Sequence, residues 1–584
     1  MKNLKKLLAL VLALVMMASV LAACGSDDTS APTTGNNPQP SQPAGENNDG
    51  TEPAGNEQPG NNEGNVGGGN GTYGGHMNLR IAATPNGLDP LKQTGTWKYL
   101  YTTCVFEPAL TRDIENNIVP GICDFELSED MTDLKMWVRD GYVFSNGDPV
   151  DVYDVEASWN RALNLYSNIK KYVKPNVASI TVENDGEKDI LHVVFSKYHE
   201  KNLYYMANWR TWCAVMPKEI CEKYSSGYIV DQIEDAIGTG PYKYCDYQDS
   251  VAVTLAKRSD YVPVDNSMYN GFAGTKYGYL NTITFRGGLN DASAAVALLA
   301  GDIDMVEVVP TDYTAMCEAE GINYEVLDSD QSTAIYFNSK GETNLCCMYP
   351  SLRKAILAAI DYPTFLAVLT DNQAVDLNDP NNRLVLHPRY DTDAWHKQDF
   401  YGAAQQEIVD KYLAEAAAEG YKGEPIQIVY NNSRTDIPTL MCDALENFDI
   451  NYKLTTMESA TYNAFIGSYS NNWDFYFGWV TGAYTPATLA DSVIINPFDN
   501  ERRDAILEEM YLLNPESEEY LALWYELAEM MAGDAYFGWM AAQKWWWWHP
   551  STLHSNDEGL TRYVFNTYWE DPQNHPTPSE YNVG

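Results

Sequence analysis

From Glu424 onward the chain switches repeatedly between two periods, and this switching restricts its fold more than any other feature. The stretch Ile426 to Tyr430 is a short run of β-formers. Ile437 to Phe448 carries apolar residues at helical spacing, Tyr452 to Thr456 is strand-like again, Ala460 to Ile466 is helical, and Trp473 to Val480 is a third strand. Strands that alternate with helices bury themselves by lying side by side in an open sheet with helices on both faces. Ligands of such sheets bind outside the carboxyl ends of the strands.

Upstream the same reading gives a first strand over Leu79 to Thr84, ended by Pro85, Asn86 and Gly87. Asp151 to Leu163 is a helix, with Val152, Val155, Trp159 and Leu163 on one face and Asp151 able to cap it. Leu280 to Arg286 is a strand. Asn290 or Asp291 then opens an alanine-rich helix through Ala300, closed by Gly301, and Asp302 to Val309 is the strand after it. Leu352 to Ile360 is a helix, with Arg353 and Lys354 expected on its wet side.

The beginning of the chain has another character. Lys2, Lys5 and Lys6 precede an uncharged apolar run from Leu7 to Ala23, which ends Leu21-Ala22-Ala23-Cys24-Gly25. That is a secretory signal with small residues before the cut. A thiol at the cut is what a bacterial lipoprotein signal needs, because its sulfur takes the diacylglycerol; a plain signal peptide would give Cys24 no role. Cys24 is therefore expected as the lipidated first residue of the mature protein, on the outer face of the cell membrane. From Gly25 to His76 there is no Lys or Arg, and Asn, Gly and Pro fill more than half of the segment. Such a segment cannot bury a core and is expected to be a disordered tether, reaching about 40 Å by the square-root rule for Gly-rich chains.

The remainder is long enough for two or three domains with sizeable cores. The net charge of -43 opposes binding to nucleic acid or anionic lipid. Of the 10 cysteines, those other than Cys24 are odd in number and form no CxxC pair. Neither a zinc site nor a disulfide framework is indicated; buried small hydrophobes are the expected role. No nucleophile elbow or HExxH pattern occurs. A secreted hydrolase with two placed carboxylates remains a distant alternative.

Several stretches together resemble one family, the extracellular solute-binding proteins of family 5, of the oligopeptide- and dipeptide-binding type. They are LRIAATPNGLDP (Leu79 to Pro90), the segment from Val105 to Leu163, the segment from Gly238 to Val262, and the segment from Tyr279 to Pro310. The series ends with IYFNSKG, LRKAILAAID and WDFYFGWV. Arg139-Asp140-Gly141, Phe144-Ser145, Asp154-Val155 with Trp159, and Gly238-Thr239-Gly240-Pro241-Tyr242 carry most of the weight. Taken as residues, these are scaffold. Gly238 to Pro241 lacks the Lys-Ser/Thr of a phosphate loop and suits a chain crossover, and Arg139 to Gly141 suits a turn.

The resemblance implies an α/β, two-lobed, periplasmic-binding-protein-like fold of type II with an extra subdomain in lobe I. Lobe I would take 77–112, 235–325 and 541–584, its subdomain 113–234, and lobe II 326–540. It implies a monomeric receptor without cofactor or metal that delivers a small ligand, an oligopeptide first, to the permease of an ABC importer. The ligand would lie along Gly478, Trp479, Val480, Thr481, Gly482 and Tyr484, with Thr96 and Trp97 approaching from lobe I. Trp545 and Trp547, which share a face if their segment is a strand, join this set. In peptide-binding relatives an aspartate in the loop takes the ligand's ammonium; here Gly482 stands at that position, and no carboxylate lies between Asp474 and Asp491. An oligosaccharide or another small organic solute is the alternative ligand, favoured by Gly482 and by the 12% aromatic content. Cys24→Ala is expected to keep the precursor out of the detergent phase on phase partition while leaving the ligand affinity of the domain unchanged.

Overall fold

Asp151 has extended backbone and opens the helix Val152–Leu165 with a reciprocal cap. Its carboxylate accepts from the Asp154 amide at 3.1 Å, and the Asp154 carboxylate accepts from the Asp151 amide at 3.0 Å. Val152, Val155, Trp159 and Leu163 are buried, as the spacing predicts. The computed structural model describes residues 69–581 apart from 83, 93–96, 115, 339, 342, 370–389, 391, 403, 432–435, 482–484, 488–499 and 556–562. Cys24 and most of the expected tether lie outside the described residues.

Three larger sheets organise the chain. The first has the order His76–Arg80, Thr282–Arg286, Ala252–Lys257, Tyr242–Gln248. Its first pair is parallel and the others antiparallel, so the start of the domain is paired with residues some two hundred positions later. The second sheet is wholly antiparallel, in the order Cys123–Leu127, Asp133–Val138, Asp189–Phe195, Val177–Asn184. Leu191, Val193 and Phe195 alternate inward from it onto a core that includes Trp159. The third sheet has the order Tyr452–Met457, Ile426–Asn431, Phe475–Thr481, Ile322–Phe337, Phe537–Pro550. Its first three strands are parallel, with helices Asp436–Glu446 and Ser459–Ile466 between them in sequence, matching the predicted alternation.

Three expectations need correction. The first strand is His76–Arg80, earlier than Leu79 to Thr84, because its partner Thr282–Arg286 pairs with it from His76 onward. Asp302 to Val309 is no strand: Met305 bridges Leu79 and Val306 bridges Trp548, so the segment changes partner after one residue and builds no ladder. Arg353 is not on a wet face. It is 2% exposed and donates to the carbonyls of Cys346 (2.7 Å), Asp534 (2.8 Å) and Ala535 (3.0 Å). The last two close the end of the helix Glu518–Gly533, whose terminal carbonyls lack partners within the helix.

Buried charge holds the motifs in place. Asp89 and Arg161 form a pair at 2.6 Å with side chains 0% and 1% exposed. Asp89 also accepts from the amides of Leu91 and Ile229, and Arg161 donates to the carbonyls of Tyr224 and Gly227. Glu107 meets Lys276 at 3.0 Å and accepts from the Thr239 hydroxyl. Arg258 donates to the carbonyls of Val143, Phe144, Thr239 and Gly240. Gly238 and Gly240 pack directly on the backbone of Cys104 and Val105, where any Cβ would collide. Of the nine cysteines from Cys104 to Cys442, six are buried.

Arg161→Met leaves the Asp89 carboxylate buried without its cation and is expected to cost about 3–5 kcal/mol in denaturant unfolding. Asp260→Ala removes the half-exposed anion of Arg258, whose carbonyl acceptors remain, and is expected to destabilise less than Arg161→Met in the same assay.

Candidate functional site

Two strands, Ile322–Phe337 and Phe537–Pro550, run antiparallel through two separate cores. In one half, Trp547 belongs to a core with Met77, Leu79, Val105 and Phe285, and Trp548 to a smaller one with Val306 and Ile322. In the other half, Ile335 and Phe337 belong to the core of the parallel strands, and Ala334 and Phe537 to one with Tyr520 and Trp524. The ladder breaks between the halves: Asp328 pairs with Lys544, the next pair is Ser332 with Ala542, and a second shift follows Thr333. Unequal lengths of chain face each other there, as in a bulge, which bends and twists a strand pair locally.

The strand Phe475–Thr481 lies on this break. Gly478, Trp479, Val480 and Thr481 pair with Ala334, Thr333, Ser332 and Gln331. On its other edge the strand is laddered to Ile426–Asn431 only at Phe475 and Tyr476. Among the described residues no ladder pair lies beyond Tyr476 on that edge. Gly478 is required where it stands, because a Cβ would press on the rings of Tyr336 and Tyr476, which stack at 5.1 Å. Gly482 and Tyr484 lie outside the described residues, as does Thr96.

Trp97 immediately precedes the helix Lys98–Val105 and is half-buried, its ring 6.3 Å from that of Trp547 at 74°. Trp547 pairs with Glu325 and is 2% exposed in its core. Trp545 pairs with Leu327. The structure therefore brings Trp97 and Trp547 together on one half of the long strand pair. It sets Gly478 to Thr481 beside the other half, at the break.

Three polar groups near these elements carry no local signature in the sequence. Lys98 is buried, and desolvation pushes its ammonium down to about 7 against the opposing charge of Asp89. It donates to the Lys92 carbonyl at 2.9 Å. Glu200 is buried and accepts hydrogen bonds from the hydroxyls of Thr485 and, at 3.1 Å, Tyr520. Asp474, the acid before the Phe475 strand, is used internally: it accepts from the amides of Gln427 and Cys346, and burial pushes its carboxyl up. Among the described residues no helix is long and apolar enough to cross a membrane.

Trp547→Ala is expected to cost about 3–5 kcal/mol in thermal or denaturant unfolding, as a core truncation. Trp97→Ala is expected to cost clearly less in the same assay.

The comparisons place this geometry in a family. A model for the bacterial extracellular solute-binding proteins, family 5, matches residues 107–493. The oligopeptide-binding protein AppA of Bacillus subtilis is 25% identical over 318 residues, 51% of this chain and 54% of that protein. The chain spans about half the length of the curated relatives it matches. Among solved structures, DppA of Helicobacter pylori in complex with the peptide STSA superposes with a TM-score of 0.67 at 16% identity, covering 85% of this chain and 99% of that one. NikA of Staphylococcus aureus in complex with Ni(L-His)2 gives 0.66 at 15% identity, covering 85% and 100%. At these identities the structural likeness shows the periplasmic-binding-protein fold alone. With the family match extending over well more than half of its length, the chain belongs to the bacterial extracellular solute-binding proteins of family 5.

Proposed function

We propose that this chain is a lipid-anchored receptor on the outer face of the membrane that captures a short peptide and hands it to the permease of an ABC importer by closing two lobes on it. The lobes would be 77–112 with 235–325 and 541–584, carrying the subdomain 113–234, and 326–540 opposite. One observation carries the reading. Among the described residues the strand Phe475–Thr481 is paired on one edge only at Phe475 and Tyr476, beside the irregular stretch of the two strands that connect the cores. An extended peptide docks on such an edge through main-chain hydrogen bonds, which accept any side-chain sequence. Few backbone bonds oppose bending at a stretch where the ladder is already broken, and that suits a hinge between two packed bodies. AppA and DppA are peptide binders by name, in keeping with this ligand class.

A second ligand class has its own support. Gly482 leaves the loop without the acid that would neutralise a peptide's ammonium, and burying that charge alone is costly. NikA shows the same fold holding a nickel–histidine complex. A solute without a free amine, an oligosaccharide among them, fits the same cleft.

A thermal-shift panel of short peptides, their N-acetylated forms and oligosaccharides separates the two. A matched ligand at a hundredfold its Kd is expected to stabilise by about 2.7 kcal/mol. Stabilisation by glycans and by no peptide would reject the peptide reading. Slow cleavage of a bound ligand would reject the transport reading itself.

A further inference from the structure

Glu200 joins two bodies that have separate cores. The residues around it, Leu203 to Met206, pack on the core of the second sheet, whereas Tyr520 belongs to the core shared with Trp524 and Phe537. Across this boundary the Glu200 amide donates to the Tyr511 carbonyl at 2.9 Å. The His199 ring stacks on Tyr511 at 5.1 Å and 15°, and the Lys201 ammonium lies 4.5 Å from the centre of the same ring. The Glu200 carboxylate itself accepts from Thr485 and Tyr520. Thr485 lies close in sequence after Thr481, the last residue of the candidate ligand strand, so the contact sits near that strand's end.

We propose that Glu200 is a proton-operated latch between the subdomain 113–234 and the lobe 326–540, closed on Thr485 and Tyr520 when its carboxyl is protonated and loosened when it ionises. The proposal rests on the two-lobe reading above. Its physical basis is that the contact takes the carboxyl out of water, which penalises the charged form more than the neutral one. Two groups on its own side, Lys201 and Arg112, favour the charge, and the His199 imidazole neighbours it. From the opposite side it meets the hydroxyls of Thr485 and Tyr520, with Tyr390 and Tyr511 around them. Desolvation outweighs the hydrogen bonds and both cations and pushes Glu200 up to about 7 from an ordinary 4.5.

The sign follows from linkage. A carboxyl whose pKa is raised in the contact favours that contact fully below its solvated value. The preference falls about tenfold per pH unit between the two values and levels off above the higher one. Closed ligand-free protein is therefore expected near pH 5 and more open protein near pH 8. Lower pH would then tighten ligand retention.

Small-angle scattering of the mature soluble chain without ligand, between about pH 5 and 8.5, tests this. The radius of gyration is expected to rise with pH in the parent protein and to stay at the low value throughout in Glu200→Gln, which keeps size and hydrogen bonding without the charge. His199→Phe, which preserves the stack on Tyr511, is expected to keep the pH response. No response in the parent, an unchanged response in Glu200→Gln, or loss of the response in His199→Phe would each overturn the latch. A parent protein that contracts on binding a panel peptide but ignores pH sinks the latch and keeps the cleft. A pH response without contraction by any panel ligand does the reverse.

Discussion

Arg161 shows the condition on which this architecture depends: a guanidinium removed from water must find an oxygen for its donors. It finds them on Asp89, Tyr224 and Gly227. One helical side chain thereby fixes three distant pieces of chain: the segment after the first strand, the turn near Tyr224, and through Asp89 the strand-like entry at Ile229. Lys276 with Glu107, and Arg258 with its carbonyls, repeat this device at the segment containing Gly238 and Gly240. Of the scaffold motifs of the sequence, Phe144, Thr239 and Gly240 are residues that satisfy these buried charges. Phe144 stands far from the other two in the chain because each charge needs partners from several segments.

What the sequence makes legible follows from this. Local devices are readable: the Asp151 cap, the Asn290 cap with Gly301 in left-handed backbone after the alanine-rich helix, and the alternation from Ile426 to Thr481. Their causes lie within a few residues. Arg353 is misread because its acceptors, Asp534 and Ala535, stand about 180 residues away. A helical wheel counts an arginine as wet, and only the folded chain reveals three carbonyls in need of donors. The Asp302 to Val309 segment has strand composition but meets a different neighbour on either side of one peptide unit. Glu200 is invisible for the same reason: its importance comes from Thr485 and Tyr520, roughly three hundred residues downstream.

The candidate site divides along the same line. Gly478 to Thr481 are legible from a family likeness and fall beside the broken ladder. The tryptophan run is legible as a strand, yet its alternation alone does not assign faces to ligand or core. Trp547 and Trp548 are both buried on opposite faces because two different cores flank the strand. Period-two reasoning presumes one wet side, and a strand passing between packed bodies has none.

The buried thiols have a consequence for a protein of an exported family. Oxidants and disulfides react with thiolate, and burial pushes Cys221 and Cys245 up to about 11 and raises Cys346 well above the ordinary thiol. At neutral pH the reactive form is a trace, sealed away by the apolar side chains that raised it. Oxidation at Cys221 and Cys346 is thereby slowed once the chain is packed. Its period of hazard is the interval between translocation and collapse, when every sulfur is still in water. Fast folding would protect this molecule where other exported proteins rely on crosslinks.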